Sequence, residues 1–421
     1  MQLGRLALWR TIPMDIARRR FSAAIAGWGD REVAETYFNS AIRRLYGTVG
    51  VDEESEFLDL SAPDLPVDRG VATERFNGID TLTSALTRAL RSLGLTQWRD
   101  LGGDARRVAE RLRSELPLDG GGALAWLPAA FLRSRRAFLT GRLATGAGTW
   151  PLIVALVAEP DGLRADAVMT TADAASIVFS FTRNHFQVDL EEPRAAVGFL
   201  RTLMPSKRID ELYSVIGYHR HGKREFYQAL HRTIGDPEVR FEPIEGIPGM
   251  VMLAFMLRPM NAVFKLIKDR CDPPKQITRR EVMAKYHLVF LKEHGGRLAD
   301  TQEFTGLALP KRSFDERVTR ELRTHAMETV KDGGDRWHFA HLYTERRMTP
   351  LDVYLKSATL DEARAAVIDF GRAIKELASV NLFPGDMLPK NFGVTRHGRI
   401  VFYDYDEISQ LTECRFRTIP A

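Results

Sequence analysis

Residues 383–406 read FPGDMLPKNFGVTRHGRIVFYDYD. Asp386 and Asn391 stand five apart, with Lys390 beside the asparagine, and Asp404 follows Asn391 by thirteen residues. Between them, Gly393–Thr395 and Ile400–Tyr403 read as two short strands joined by Arg396-His397-Gly398. Transfer of a phosphoryl group to a hydroxyl needs this set. One carboxylate must sit at the attacking hydroxyl, while an amide oxygen and a second carboxylate hold Mg²⁺ against the phosphates. The hairpin fixes their separation, because the two ends of a two-stranded ribbon lie close together. An Asp and an Asn five apart occur often by chance. The same pair followed by a hairpin and a strand ending in Asp is far more specific. The plain alternative makes Asp404 and Asp406 a polar pair at a strand end and Asp386 a turn residue.

Working upstream, Met250–Leu257 (MVMLAFML) and Asn261–Lys268 (NAVFKLIK) read as apolar strands. Gly246-Ile247-Pro248-Gly249 precedes the first and can form a tight loop whose backbone N–H groups approach phosphate oxygens. Lys265 on the second strand would place a point charge on the phosphates. Taken singly, Gly-x-x-Gly is an ordinary turn and Lys265 a solvated strand lysine. The order carries the argument: glycine loop, strand lysine, catalytic Asp, metal Asn, metal Asp. That is the order of a protein-kinase-like fold. His341–Leu351 (HLYTERRMTPL) is the candidate hinge between its lobes, or simply a strand-to-helix connection.

The 421 residues are 44% hydrophobic and 27% charged, which excludes collagen-like and wholly disordered chains and leaves room for two or three domains. Cys271 and Cys414 are the only cysteines, too few for a disulfide scaffold or an all-cysteine zinc site, and a reducing cytoplasm fits. A net charge of +5 on this length is mild, so no nucleic-acid partner is expected. The clusters Arg18-Arg19-Arg20 and Arg133-Ser134-Arg135-Arg136 read as solvated helix faces. No apolar run of membrane-spanning length occurs, and Met1–Met14 has no signal-peptide pattern.

The chain before residue 240 reads as mainly helical. Leu82, Leu86 and Leu90 form a stripe at helical period within Ile79–Leu93. A second helix is expected over Asp104–Leu116, N-capped by Asp104, with Gly102-Gly103 as a break before it. Leu152–Glu159, a Pro160-Asp161-Gly162 turn and Leu163–Met169 read as a β-hairpin. A helix over Ala172–Arg183 follows, and helical patterns resume over Pro193–Leu230. Asp236-Pro237 marks a boundary, placing one domain at 1–239 and another at 240–421. Within the second, Arg279–His294 and Leu360–Val380 read as helices.

Several long stretches resemble one family. They are GMVMLAFML…VFKLIKDR (Gly249–Arg270), GRLADTQEF (Gly296–Phe304), YTERRMTPL (Tyr343–Leu351) and FPGDMLPKNFGVTRHGRIVFYDYDEI (Phe383–Ile408). Upstream they include AETYFNSAIRRLYGTVGVD (Ala34–Asp52), FSFTRNHF (Phe179–Phe186) and ELYSVIGYHRHGKREFY (Glu211–Tyr227). The chain resembles the isocitrate dehydrogenase kinase/phosphatases over nearly its whole length.

The resemblance implies an α+β protein: a mainly helical regulatory domain with a small β-hairpin near 152–169, then a bilobal protein-kinase-like domain. It implies an ATP- and Mg²⁺-dependent enzyme, cytoplasmic, that phosphorylates a serine of isocitrate dehydrogenase. The same site removes the phosphate, and so switches carbon between the tricarboxylic acid cycle and the glyoxylate bypass. AMP is implied as the effector favouring the phosphatase. By motif, the ATP loop falls on Ile244, Glu245, Gly246, Ile247, Pro248, Gly249 and Met250, and the ATP lysine on Lys265. Asp386 falls on the kinase base, Asn391 and Asp404 on the metal ligands, and Asp406 on a further acidic site residue. Asp300 falls on an acidic group tied mainly to the phosphatase; locally it reads only as a helix-end carboxylate.

Pro389 stands where the family has Phe, fixing φ and removing an N–H within the catalytic loop. Family members also extend further at both ends, which implies an incomplete kinase C-lobe here. The alternative function is therefore a catalytically inactive protein that binds nucleotide or isocitrate dehydrogenase. A small-molecule kinase, suggested by Gly385-Asp386, is a third reading that the upstream match disfavours.

Overall fold

The structure is a computed structural model that describes residues 13–46, 56–61, 63–118, 120–180, 184–244, 249–291 and 296–415. The described residues pack into two compact units. One falls within residues 11–41 and 61–227, the other within 42–60 and 228–421. By packing, the division nearest the expected boundary falls between Tyr227 and Gln228, inside a helix. Pro237 does follow the end of that helix, but its last turns already belong to the second unit.

The first unit opens with α1 (Met14–Ala24) and α2 (Arg31–Tyr46), the second of which also runs on past the division. Next come β1 (Ala72–Phe76), α3 (Ile79–Ser92) and α4 (Leu101–Glu115). The strands β2 (Gly122–Trp126), β3 (Phe131–Arg133), β4 (Arg136–Thr145), β5 (Gly148–Glu159) and β6 (Gly162–Met169) follow. Helices α5 (Ala172–Val178), α6 (Pro193–Leu203), α7 (Ile209–Val215) and α8 (His219–Gly235) close the unit, α8 being the helix that holds the division.

The expected hairpin is one edge of a six-stranded antiparallel sheet, ordered β1-β2-β4-β5-β6 with β3 on β4. Helices still make up most of the regular structure described in this unit, as expected, and what the structure adds is that the small hairpin belongs to a larger sheet. Both faces of the sheet are covered. Leu152, Val154 and Leu156 pack with Leu82, Leu86, Leu90, Val108 and Leu112, while Ile153 and Ala155 pack with Phe131, Phe179, Phe199 and Leu212. Burial on both faces removes the polar alternation that marks a half-exposed strand, so only the pair marked by the Pro160-Asp161-Gly162 turn and the alternating edge strand was legible.

Two expectations are corrected. Gly102 and Gly103 do not break a helix; they lie in the first turn of α4, whose cap is Asp100, accepting from the Gly103 N–H at 2.8 Å. Asp104 is buried inside that helix and paired with Arg107. Arg133-Ser134-Arg135-Arg136 is a hairpin turn, with Ser134 at φ 56, and not a helix face. Arg133 lies over the Phe186 ring at 4.3 Å, and burial lowers its pKa to about 10. The helix expected over 172–183 ends at Val178; residues 181–183 lie outside the described residues.

In the second unit, β7 (Glu242–Pro243), β8 (Met252–Leu257) and β9 (Ala262–Ile267) precede α9 (Arg279–Leu291) and β10 (Thr301–Pro310). After α10 (Glu316–His325), β11 (Val330–Asp332) and β12 (Arg336–Arg346) complete an antiparallel sheet ordered β10-β12-β9-β8-β7, with β11 on β12. Its core is aromatic: Phe241, Phe255, Phe264, Phe314 and Phe339 pack ring to ring.

The candidate hinge is strand through Arg346. The chain then leaves this sheet, and β13 (Thr349–Pro350) joins a second sheet ordered β13-β15-β16, formed with β15 (Phe392–Val394) and β16 (Ile400–Phe402). Helices α11 (Leu351–Ser357) and α12 (Leu360–Ser379) and the pair β14 (Leu382–Phe383) with β17 (Ser409–Gln410) complete it. Cys271 and Cys414 are both free, and no helix among the described residues is long and apolar enough to cross a membrane.

Two buried histidines make stability pH-dependent. Burial, with help from Arg224, lowers the His221 pKa to about 3; its Nδ1 is 2.7 Å from the Thr36 hydroxyl. Burial and then Arg336 lower His231 to about 4. Both are depressed below the ordinary 6.5, so the unfolded chain binds more protons between those values. Their contribution is present above about pH 6.5 and is lost as pH falls towards 3 and 4. The urea midpoint should drop between pH 7.5 and pH 5, and His221→Asn should lower it at pH 7.5 while flattening that dependence. An unflattened slope in the variant would exclude His221 as a source.

Candidate active site

The catalytic stretch is shaped by local backbone constraints. Gly385 has φ 80, and a Cβ there would meet the Glu407 carbonyl oxygen at 2.6 Å, so only glycine seats this turn against the Asp406-Glu407 segment. Pro389 opens a 3₁₀ turn over Pro389–Asn391. At that first position an N–H has no partner within the turn, so the proline costs no hydrogen bond there. The turn brings the Asn391 side chain back to Asp386, where its Nδ2 donates to the Asp386 carbonyl at 3.1 Å. That leaves the amide oxygen of Asn391, the end a hard cation takes.

The β15–β16 pairing then sets Asp404 beside this turn. Phe392, Gly393 and Val394 pair with Phe402, Val401 and Ile400, and the Tyr403 N–H donates to the Asn391 carbonyl at 3.2 Å. The Tyr403 hydroxyl donates to the Lys390 carbonyl. Burial, and next the charge of Asp406, push the Asp404 carboxyl up to about 6, against the pull of Lys265 and Lys275. Crowded carboxylates of this kind favour a cation between them and a phosphate. Among the described residues no group of three or more His, Cys, Asp or Glu could hold a metal. An Asn391–Asp404 pair completed by phosphates and water is the sparse protein set that Mg²⁺ accepts.

Lys265 reaches this cluster from β9. Its Nζ donates to the Tyr403 carbonyl at 3.0 Å, lies 5.0 Å from the Tyr403 ring centre, and pairs with Glu345 of β12 at 2.7 Å. Asp406 is buried and held by Lys275 at 3.2 Å, while Lys275 also pairs with Glu407. Neither Glu345 nor Lys275 was singled out from the sequence. Their partners are 80 and 131 residues away, so no local spacing could have found them.

Asp300 enters the same region through the backbone. Leu298 bridges Phe402 in parallel, and the Ala299 N–H donates to the Phe402 carbonyl at 2.9 Å. The buried Tyr405 hydroxyl donates to the Ala299 carbonyl at 2.9 Å. On the other side, the Thr301 hydroxyl donates to Glu345 at 3.0 Å. Asp300 is not at a helix end, as its local sequence suggested; it sits just before β10, between two anchored neighbours.

Of the phosphate-loop residues, Ile244 is exposed and Met250 half-buried, its carbonyl accepting from Asp272 at 2.9 Å. A Cβ on Gly249 would meet the Met252 carbonyl oxygen at 2.8 Å. Glu245, Gly246, Ile247 and Pro248 lie outside the described residues.

Two family descriptions match the chain. The isocitrate dehydrogenase kinase/phosphatase (AceK) regulatory domain matches residues 6–238, and the AceK kinase domain matches residues 239–421. The isocitrate dehydrogenase kinase/phosphatase of Anaeromyxobacter sp. (strain Fw109-5) is 44% identical over 418 residues, covering 98% of this chain and 72% of that protein. The protein of the same name from Anaeromyxobacter dehalogenans (strain 2CP-C) is 43% identical over 416 residues, covering 96% and 70%.

Proposed function

Since the chain belongs to the isocitrate dehydrogenase kinase/phosphatase family, we propose that it transfers the γ-phosphoryl group of ATP to a serine hydroxyl of isocitrate dehydrogenase and, at the same site, hydrolyses the phosphoserine it makes. The observation that carries this reading is the single connected set Asp386–Asn391–Tyr403–Lys265, with Asp404 within the field of Lys265.

In the kinase direction Asp386 orients the serine hydroxyl and accepts its proton as the oxygen attacks. Lys265 holds the phosphates as a point charge, and the loop Ile244–Met250 covers them. Asn391 and Asp404 would hold Mg²⁺, which when bound supplies neutralising charge to the phosphate oxygens. Lys275 keeps Asp406 in place beside them. In the phosphatase direction Asp300 positions the attacking water, and nucleotide stays bound. AMP acts as the effector that favours hydrolysis, and the cytoplasm is the proposed compartment.

A radiolabel assay with purified protein, Mg²⁺-ATP and isocitrate dehydrogenase tests the reading. Label should pass to a serine of the dehydrogenase and leave it again when AMP is added. A folded protein that ATP stabilises against heat, yet that transfers no label, would overturn it in favour of binding alone.

A further inference from the structure

We infer that Glu345, on strand β12, is the positioning residue for the phosphate-binding lysine, in place of a carboxylate on the neighbouring helix. The inference rests on the ATP reading above. In protein kinases the strand lysine is held by a glutamate on the helix after it, and moving that helix switches the site on and off. Here that helix is α9, and its single acidic residue is Glu281. Glu281 is exposed and committed to its own helix start, accepting from the Thr278 N–H at 2.8 Å and the Thr278 hydroxyl at 2.7 Å. The inward side chains of α9 are Val282, Tyr286 and Val289, none of them acidic, and Tyr286 is stacked on Tyr343 with ring centres 3.8 Å apart. The helix thus presents an aromatic ring where a kinase helix presents a carboxylate.

The carboxylate comes from the sheet. In the β12–β9 register Tyr343 faces Lys265, and in the β12–β10 register Glu345 faces Thr301. Residues two apart on a strand share a face, so Lys265, Glu345 and Thr301 lie on one face of the sheet. The Glu345 side chain is 3% exposed and both its oxygens are used: Oε2 pairs with Lys265 Nζ at 2.7 Å, and Oε1 accepts from the Thr301 hydroxyl at 3.0 Å. A buried carboxylate with two charge-assisted or hydroxyl partners has one geometry. The strands holding it are hydrogen-bonded to each other, so the pair survives any displacement of α9 that leaves the sheet intact.

Two consequences follow. The nucleotide lysine is set in place in every state of α9, and control of this enzyme works elsewhere than through that helix. Through Thr301, the same carboxylate also anchors the residue next to Asp300, so one group braces both the phosphate lysine and the segment proposed for hydrolysis.

The test uses the full chain with Mg²⁺-ATP and isocitrate dehydrogenase, comparing Glu345→Gln, Lys265→Met, the double variant and Glu281→Gln. Urea midpoints are measured alongside to verify folding. Glu345→Gln should lower kcat/KM for ATP by at least about 10-fold, and Glu281→Gln should stay within about 2-fold of the parent. Because Glu345 reaches ATP through Lys265, while its Thr301 contact bears on the hydrolysis segment, adding Glu345→Gln to Lys265→Met should cost kcat/KM for ATP in the kinase direction nothing further, which a general structural defect would not reproduce. Parent-like kinetics in Glu345→Gln, additive losses in the double variant, or an equal loss in Glu281→Gln would overturn the inference while leaving the ATP reading intact. Failure of the parent chain to bind or use ATP would overturn both.

Discussion

Asp404→Ala should abolish both activities, with kinase and phosphatase rates each falling by roughly 10³-fold, the scale seen when a main electrostatic element of a transition state is removed. The reason lies in where Asp404 sits. It is the carboxylate that the β15–β16 hairpin fixes beside Asn391, and burial with Asp406 has already raised its pKa to about 6. On the proposed reading a metal held there would neutralise that charge, and both directions of the reaction would need the phosphates so held. Asp300→Ala should differ. Asp300 is anchored through Ala299 and Thr301 and does not belong to the Asn391–Asp404 pair. The phosphatase should fall by about 10²-fold and the kinase by less than about 10-fold, as for loss of a group serving one half-reaction. The check is single-turnover phosphate transfer and release by both variants. Equal losses in the two variants would refute this division of labour.

The second large effect is on stability. Arg297→Met should destabilise the second unit by about 3 kcal/mol, read as a lowered urea midpoint. Arg297 is 4% exposed and its side chain binds three groups. Its Nη1 and Nη2 bond Asp369 at 2.6 and 2.9 Å, Nε and Nη2 bond Glu376 at 2.9 Å, and Nη1 donates to the Ile400 carbonyl at 3.0 Å. Its own carbonyl accepts from the Phe402 N–H at 2.7 Å. Removing it leaves the Asp369 carboxylate with only the Ile400 N–H, at 2.8 Å, and the charge of Arg399; burial opposes its ionisation, and Arg297 is the main group that holds its pKa below the ordinary value. Asp369→Asn in the Arg297→Met background should recover part of the loss, because it removes that poorly compensated charge. No recovery would mean that lost packing, and not charge, sets the cost. Arg297 also carries the strand pairing that leads into Asp300, so activity should fall in parallel with folding.

What could be read along the chain was whatever is settled within a few residues. The Asp386–Asn391 turn, the hairpin and Asp404 lie in one short segment, and their pairing follows from turn and strand chemistry alone. The lysine strand and its neighbour were equally legible, because β8 and β9 are joined by a short connection. The resemblance supplied Asp300, which no local pattern marks.

The sheet of the first unit was hidden because strands buried on both faces lose alternation, and Gly102-Gly103 misled because glycine at a helix start and glycine at a helix break look alike without the Asp100 cap in view. Glu345 and Lys275 became functional candidates only in three dimensions. Local sequence determined which chemical groups this protein brings and in what order. The pairing of sheets and helices decided which charges meet, because a buried ion pair is chosen by geometry across 80 or 131 residues, where spacing carries no information.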